Sequence, residues 1–257
     1  MTDRTNDDRG ADAPVYLVLG ATGGIGSELC RRLHRAGARL ALGARGEEGL
    51  AELAGELDAS EHPLDATDPE AVEHCFGQVE EEHGRLDGVA HLVGSMLLKP
   101  AHLTSPEEWR ETLEVNLSSS FYVVRQAGKA MRGRGGSVVL MSSAAATTGM
   151  SHHEAIAAAK AGVEGLVRAA AASYAARGIR INGVAPGLVD TPLSSRITGN
   201  ETAREASEAM HALGRLGEPG DVASAVAWLL DREQSWVTGQ ILGVDGGLAR
   251  VRPRRKG

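Results

Sequence analysis

The sequence predicts one doubly wound α/β domain. Short apolar runs recur along the chain, amphipathic segments of helix length separate them, and the first run ends in a glycine-rich turn that opens a helix. This alternation favours parallel strands, because a parallel crossover needs a connection of that length. The runs are continuously apolar rather than alternating, as expected of strands covered on both faces. No repeat or linker divides them. The predicted domain spans residues 14–249, between a polar leader (1–13) predicted to be disordered and a basic tail (250–257). It should hold about seven strands.

The elements follow in order. Residues 14–20, PVYLVLG, read as the first buried strand. Residues 24–38 carry helical period, with Ile25, Leu29 and Leu33 on one stripe. A strand at 39–45 and a helix at 47–57 come next. Residues 62–68 hold a short strand end, and 69–84 a helix with proline in its first turn. A strand at 86–94 precedes one long helix over 105–131 and a strand over 136–143. The stretch SHHEAIAAAKAGVEGL opens a helix that runs from 151 to 177. Ser151 and Glu154 have capping-box spacing, which makes Ser151 the N-cap and puts His152, His153 and Glu154 in the first turn. His153, Ile156 and Lys160 then share one face, with His152 close to it. A strand at 179–187, a variable helical segment at 190–213, a helix at 218–231 and a strand at 239–247 complete the chain.

Composition narrows the function. The chain has 257 residues and a net charge of −7, from 27 Lys plus Arg against 34 Asp plus Glu. That balance argues against a general nucleic-acid surface. The tail RVRPRRKG is either solvated or a site for an anionic partner. Cys30 and Cys75 lack the spacing of metal ligands or paired thiols and read as small core residues, so no metal is expected. The chain carries no signal-peptide pattern, and no apolar run approaches about 18 residues, so a cytoplasmic protein that does not enter a membrane is expected. Aromatic residues are 3% of the chain, which points to an aliphatic substrate pocket.

The glycine loop carries the first chemistry. GATGGIG, residues 20–26, links the first strand to the first helix. Glycines at 20, 24 and 26 permit a tight turn, backbone approach to a pyrophosphate, and close packing of helix on strand. The free N–H groups of the helix start favour phosphate. Such a loop can also be a plain turn; its place between strand and helix favours a nucleotide.

The spacing Gly-x3-Gly-x-Gly resembles the short-chain dehydrogenase/reductase family, a Rossmann-type fold, and the resemblance runs from about Pro14 to Ala249. It implies an oxidoreductase acting on a carbonyl or alcohol with a nicotinamide cofactor. Gly20, Thr22, Gly24, Ile25 and Gly26 would hold the cofactor's phosphates. Asp65, in LDATD, would contact adenine beside Ala66, and Gly94 would approach the cofactor. Pro186, Gly187, Val189 and Thr191, in NGVAPGLVDT, would line the nicotinamide. Asn116, in VNLSSSF, and Ser143, in VVLMSS, match the catalytic asparagine and serine. Lys160 matches the lysine that holds the ribose and activates a tyrosine. RLGEPGDVA and VTGQILGVDGG match the C-terminal signature.

The second strand bears on the cofactor. A cofactor without a 2′-phosphate wants a carboxylate at its end, and that position is Ala44. Arg45 follows and could pair with a 2′-phosphate, or be an ordinary surface arginine. NADP(H) is therefore favoured over NAD(H), although Gly23 stands where NADP-preferring members often carry a basic residue.

The chain departs from the family at the acid. The family's tyrosine lies thirteen residues after the serine and four before the lysine; both counts arrive at Ile156. Isoleucine has no proton to give. His153, or its neighbour His152, could replace it or be merely exposed at a helix start, where the dipole favours a neutral ring. The family's Asn-Asn-Ala-Gly reads HLVG, with His91 expected as a structural replacement rather than a proton donor. Two functions remain open: an NADP(H) oxidoreductase with an altered proton path, and a nucleotide-binding pseudoenzyme acting as a sensor or partner subunit. Family members pair the helices expected at 107–131 and 152–177 across a two-fold axis. Ala157, Ala161, Gly162, Gly165 and Ala169 offer close packing there, so a homodimer or homotetramer is expected.

Overall fold

In the computed structural model, β1 (Val15–Leu19) is buried along its whole length. β2 (Arg39–Ala44) pairs with it on one side and β4 (Gly88–His91) on the other, both parallel. With β3 (Ser60–Pro63), β5 (Gly136–Met141), β6 (Ile179–Pro186) and β7 (Ile241–Val244) they form one seven-stranded sheet, ordered β3-β2-β1-β4-β5-β6-β7. Strand order reverses between β1 and β4, and the crevice beyond their carboxyl ends is where such sheets bind ligands. The structure describes residues 12–252. The expected disorder of the leader, for residues 1–11, and the end of the basic tail, residues 253–257, lie outside the described residues.

Helices cover both faces. α1 (Gly24–Arg35), α2 (Glu47–Leu57) and α9 (Pro219–Leu230) bury Leu29, Leu50 and Val226 against Val18, Leu40 and Leu42 of the sheet. α3 (Pro69–His83), α5 (Ser119–Ala130) and α6 (Glu154–Tyr174) bury Val72, Val123 and Val163 against Leu17, Val138 and Ile181. Both cysteines are buried and free. Their thiols are pushed up to about 12, chiefly by burial. The expectation of strands covered on both faces fails at β7, an edge strand whose residues are all partly or fully exposed.

Some boundaries differ from expectation. β3 begins at Ser60, earlier than the expected strand end, because its backbone pairs with Ala41–Ala44 of β2. The long helix is interrupted: α4 (Pro106–Leu113) passes into a π-helical turn at Glu114–Ser118 before α5. Ser119 N–H there reaches back to Glu114 O, one residue further than in an α-helix. Residues 190–213 contain a short 3-10 turn, the single-turn α7 (Ser195–Thr198) and α8 (Glu201–Met210). No described helix is long and apolar enough to cross a membrane.

Candidate active site

The glycine loop folds as its spacing requires. Gly20 has φ +83°, and a Cβ on it would lie 3.0 Å from Leu92 C and Val93 N. A Cβ on Gly26 would lie 2.1 Å from Gly20 O, so the helix can start this close only with glycine there. Gly24 is held against Thr191: its Cβ would be 3.0 Å from Thr191 Cγ2. The loop and the segment after β6 therefore share one side of the crevice. The N-cap of α1, Gly23, has no side-chain cap, and its first turn holds no acidic residue, which leaves N–H groups for a phosphate.

A cleft of about 320 Å³ continues from this loop past Thr22, Arg45, Asp65, Ala66 and Gly94. Ala44 is buried, and Arg45 and Asp65 are exposed. Asp65 Oδ1 accepts from Thr67 N at 2.9 Å and Thr67 Oγ1 at 2.8 Å. These bonds, from the backbone first, hold its carboxyl below the usual range, with help from the Arg45 charge. A wider groove of about 1030 Å³ opens at the opposite ends of the strands, among Arg85, Arg134, Arg180 and Arg232. It contains none of the predicted cofactor or catalytic residues, and Asp87 pairs with two of those arginines.

The polar centre lies where Gly94, Asn116 and Lys160 meet. A Cβ on Gly94 would be 3.1 Å from Asn116 Oδ1 and 3.5 Å from Lys160 Nζ. Asn116 sits in the π-turn, fully buried. Its Oδ1 accepts from Ser95 N at 3.1 Å, and its Nδ2 donates to Ser95 Oγ and Thr112 O, both at 2.9 Å. Lys160 Nζ donates to Met141 O at 2.9 Å, and burial pushes its pKa down to about 8. Ser143 is half-buried with its Oγ accepting from Ala145 N at 3.2 Å. The turn that follows it, Ala144–Ala146, packs against α6. The uncapped α1 start, the cradle at Gly94 and the buried amine together fit a dinucleotide.

His91, at the end of β4, is buried, with Nε2 2.9 Å from Ser119 Oγ. That hydroxyl donates to Val115 O at 2.7 Å, so it must accept from the ring, which makes His91 the Nε2–H tautomer. Burial first, and then the Lys160 charge, push its pKa down to about 3. The ring cannot supply a proton near neutral pH. It fastens β4 to the π-turn that carries Asn116.

Ile156 is buried in α6, one helical turn before Lys160. The expected capping box at Ser151 is absent. α6 starts at Glu154, His153 is the N-cap without a side-chain cap, and His152 lies outside the helix at φ +64°. The reason is a tertiary tie: His152 O accepts from Lys99 N at 2.8 Å, which turns the chain toward the 95–103 loop before the helix begins. His152 and His153 are thus not in the first turn. His153 Nδ1 donates to Ser151 O at 2.7 Å, so a neutral His153 presents only an acceptor at Nε2.

Pro186 ends β6, Gly187 and Val189 follow it, and of these predicted wall residues Thr191 is the one that meets the glycine loop, at Gly24. The sequence reading missed His211. It is buried, with Nε2 accepting from Leu188 N at 3.1 Å and Nδ1 2.7 Å from Ser207 O. A lone histidine before a loop gives no periodic signal of such a contact. Ser95, Asn116's partner, was missed for the same reason.

The family described as "Enoyl-(Acyl carrier protein) reductase" matches residues 20–249. A 3-oxoacyl-[acyl-carrier-protein] reductase of Thermotoga maritima is 33% identical over 245 residues, covering 92% of this chain and 98% of that protein. The chain belongs to the short-chain dehydrogenase/reductase family. A solved short-chain dehydrogenase/reductase of Mycobacterium ulcerans is 34% identical with a TM-score of 0.88, covering 93% of this chain and 91% of its own. A variant actinorhodin polyketide ketoreductase solved with NADPH is 33% identical with a TM-score of 0.89, covering 94% and 99%. The sequence similarity thus extends across the sheet, the cleft and the polar centre of this short-chain dehydrogenase/reductase.

Proposed function

We propose that the chain is an NADP(H)-dependent oxidoreductase that interconverts a carbonyl and an alcohol on a small aliphatic substrate, with a weakened supply of protons. The observation that carries the reading is the buried Lys160 amine beside Gly94 and Asn116, at the end of a glycine-lined cleft. Arg45, next to Asp65 at the other end, would pair with a 2′-phosphate, and the similar ketoreductase solved with NADPH supports that choice. When bound, the cofactor supplies a hydride. Lys160 would hold its ribose, and Ser143 would steady the substrate oxygen. Gly20, Thr22, Gly24, Ile25 and Gly26 would cradle the phosphates, and Pro186, Gly187, Val189 and Thr191 would wall the nicotinamide. Ile156 gives no proton, and general acid–base help of this kind is worth about 10²- to 10⁴-fold in rate. Leu193, Met210 and Leu213 are exposed around α8, which supports an aliphatic substrate.

A cytoplasmic homo-oligomer is part of this reading. α5 exposes Phe121, and α6 turns Ala157, Ala161, Gly165 and Ala169 toward partial or full exposure. Gly162 is partly exposed beside them and packs closely on Leu117, where a Cβ would lie 2.7 Å from Leu117 Cδ2.

The test is NADPH oxidation against a panel of aliphatic ketones and 3-oxo esters, with wild type and Ile156→Tyr side by side. The variant should gain about 10²-fold or more, because Ser143 and Lys160 would be placed to use the new hydroxyl. His153→Ala should abolish residual wild-type turnover only if that ring stands in for the tyrosine, with His152→Ala as the control. NADPH binding without turnover in both wild type and Ile156→Tyr would overturn the oxidoreductase reading in favour of a nucleotide-binding subunit.

A further inference from the structure

α8 is held differently from the other long helices: it buries none of its own residues. Arg204 ties it to Asp190 at 2.8 Å, through exposed side chains that water and salt weaken. The chain leaves α8 through His211 and reaches Gly214 at φ +69°. His211 is 3% exposed, and it is the buried anchor of this segment.

The ring's two contacts define its state. Leu188 N can only donate, so Nε2 carries a lone pair; Ser207 O can only accept, so Nδ1 carries the proton. The imidazole is neutral and in one tautomer. Each bond fills a vacancy that the backbone leaves. Gly187 N takes the last β7 carbonyl, Val244 O, at 3.2 Å, so Leu188 N lies past the end of the ladder. Ser207 O is among the last four carbonyls of α8, which lack helical donors. The socket is cut to the ring: a Cβ on Gly187 would lie 2.5 Å from Nε2, and one on Gly246 would lie 3.4 Å from His211 Cβ.

We infer that His211 is a positioning residue whose imidazole latches the C-terminal end of α8 to the Gly187–Leu188 backbone just past β6. One side chain therefore couples the end of α8 to the backbone that follows β6. The link to turnover rests on the reading of residues 186–191 as the nicotinamide wall; the latch itself does not.

The experiment uses the full chain without substrate. Ring ¹⁵N shifts of His211 at neutral pH should report a protonated Nδ1 and a bare Nε2; the opposite tautomer, or a charged ring, overturns the latch. In His211→Leu, amide exchange at Leu188 and across 201–210 should rise about tenfold or more while Ile181 and Val184 keep their protection. His211→Gln, which offers one donor and one acceptor, should restore part of it. Gly187→Ala, which drives the ring from its socket, should reproduce the opening if His211→Leu does not fold. Unchanged exchange at Leu188 and α8, or an equal rise throughout the sheet, overturns the inference. Confirmed shifts and exchange without any carbonyl turnover leave the latch standing and count against the oxidoreductase reading alone.

Discussion

Replacing Lys160 with methionine should change how stability depends on pH, in a direction and by an amount that its burial sets. The folded protein lowers the Lys160 pKa from its ordinary 10.5 to about 8, because the ammonium loses water and gains only the Met141 carbonyl in return. Between those two values the unfolded chain holds a proton that the folded chain has released. Stability contributed by this residue must therefore rise with pH across that window, and the cost of burying the charge is greatest below about 8. The full shift corresponds to about 3 kcal/mol, most of which falls between pH 7 and pH 10. Urea unfolding of wild type and Lys160→Met, at matched protein concentration and without cofactor, would measure it. The quantity to read is the difference between the two proteins. Losses that Lys160→Met causes at every pH, such as the bond to Met141, drop out of its slope. So do Cys30 and Cys75: their raised thiol pKa values make both proteins less stable as pH climbs past the unfolded thiol value. Wild type should gain on the order of 2 to 3 kcal/mol on the variant from pH 7 to pH 10. A flat difference would mean that the amine is hydrated and ordinary. A difference that shrinks with pH would mean that an anion holds it charged. Either result would refute a desolvated lysine.

Three further outcomes follow from the same geometry. His91, pushed down to about 3, should cost wild type about 3 kcal/mol relative to His91→Asn as pH falls from 7 to 4, since the unfolded ring takes a proton that the folded one refuses; acid titrations that run parallel would sink this. NADPH should bind more tightly than NADH, and Arg45→Asp should narrow or reverse the ratio through repulsion of the 2′-phosphate; calorimetric titration giving equal affinities in wild type would contradict it. Phe121→Glu should shift a dimer or tetramer toward monomer by light scattering at micromolar concentration, and a monomeric wild type would end the argument.

Local pattern alone determined most of the architecture. Apolar runs and helical stripes located the seven strands, and the glycine loop announced a strand–turn–helix, because period and turn chemistry are properties of adjacent residues. The anomaly at Ile156 was legible for the same reason: it lies at fixed sequence distances from Ser143 and from Lys160. Tertiary structure decided what depends on distant partners. Ser151 and Glu154 had the letters of a cap, yet a bond from Lys99 to His152 O starts the helix at Glu154 instead. Residues 105–131 had one helical period, but the chain opens a π-turn in it, where Ser119 links Val115 O to the His91 ring. His211 reaches Leu188 N across 23 positions, and Lys160 owes its low pKa to burial. Spacing tells which side chains lie along one face of one element; only the packing of elements tells which backbone groups lack a partner, and which side chain must supply it.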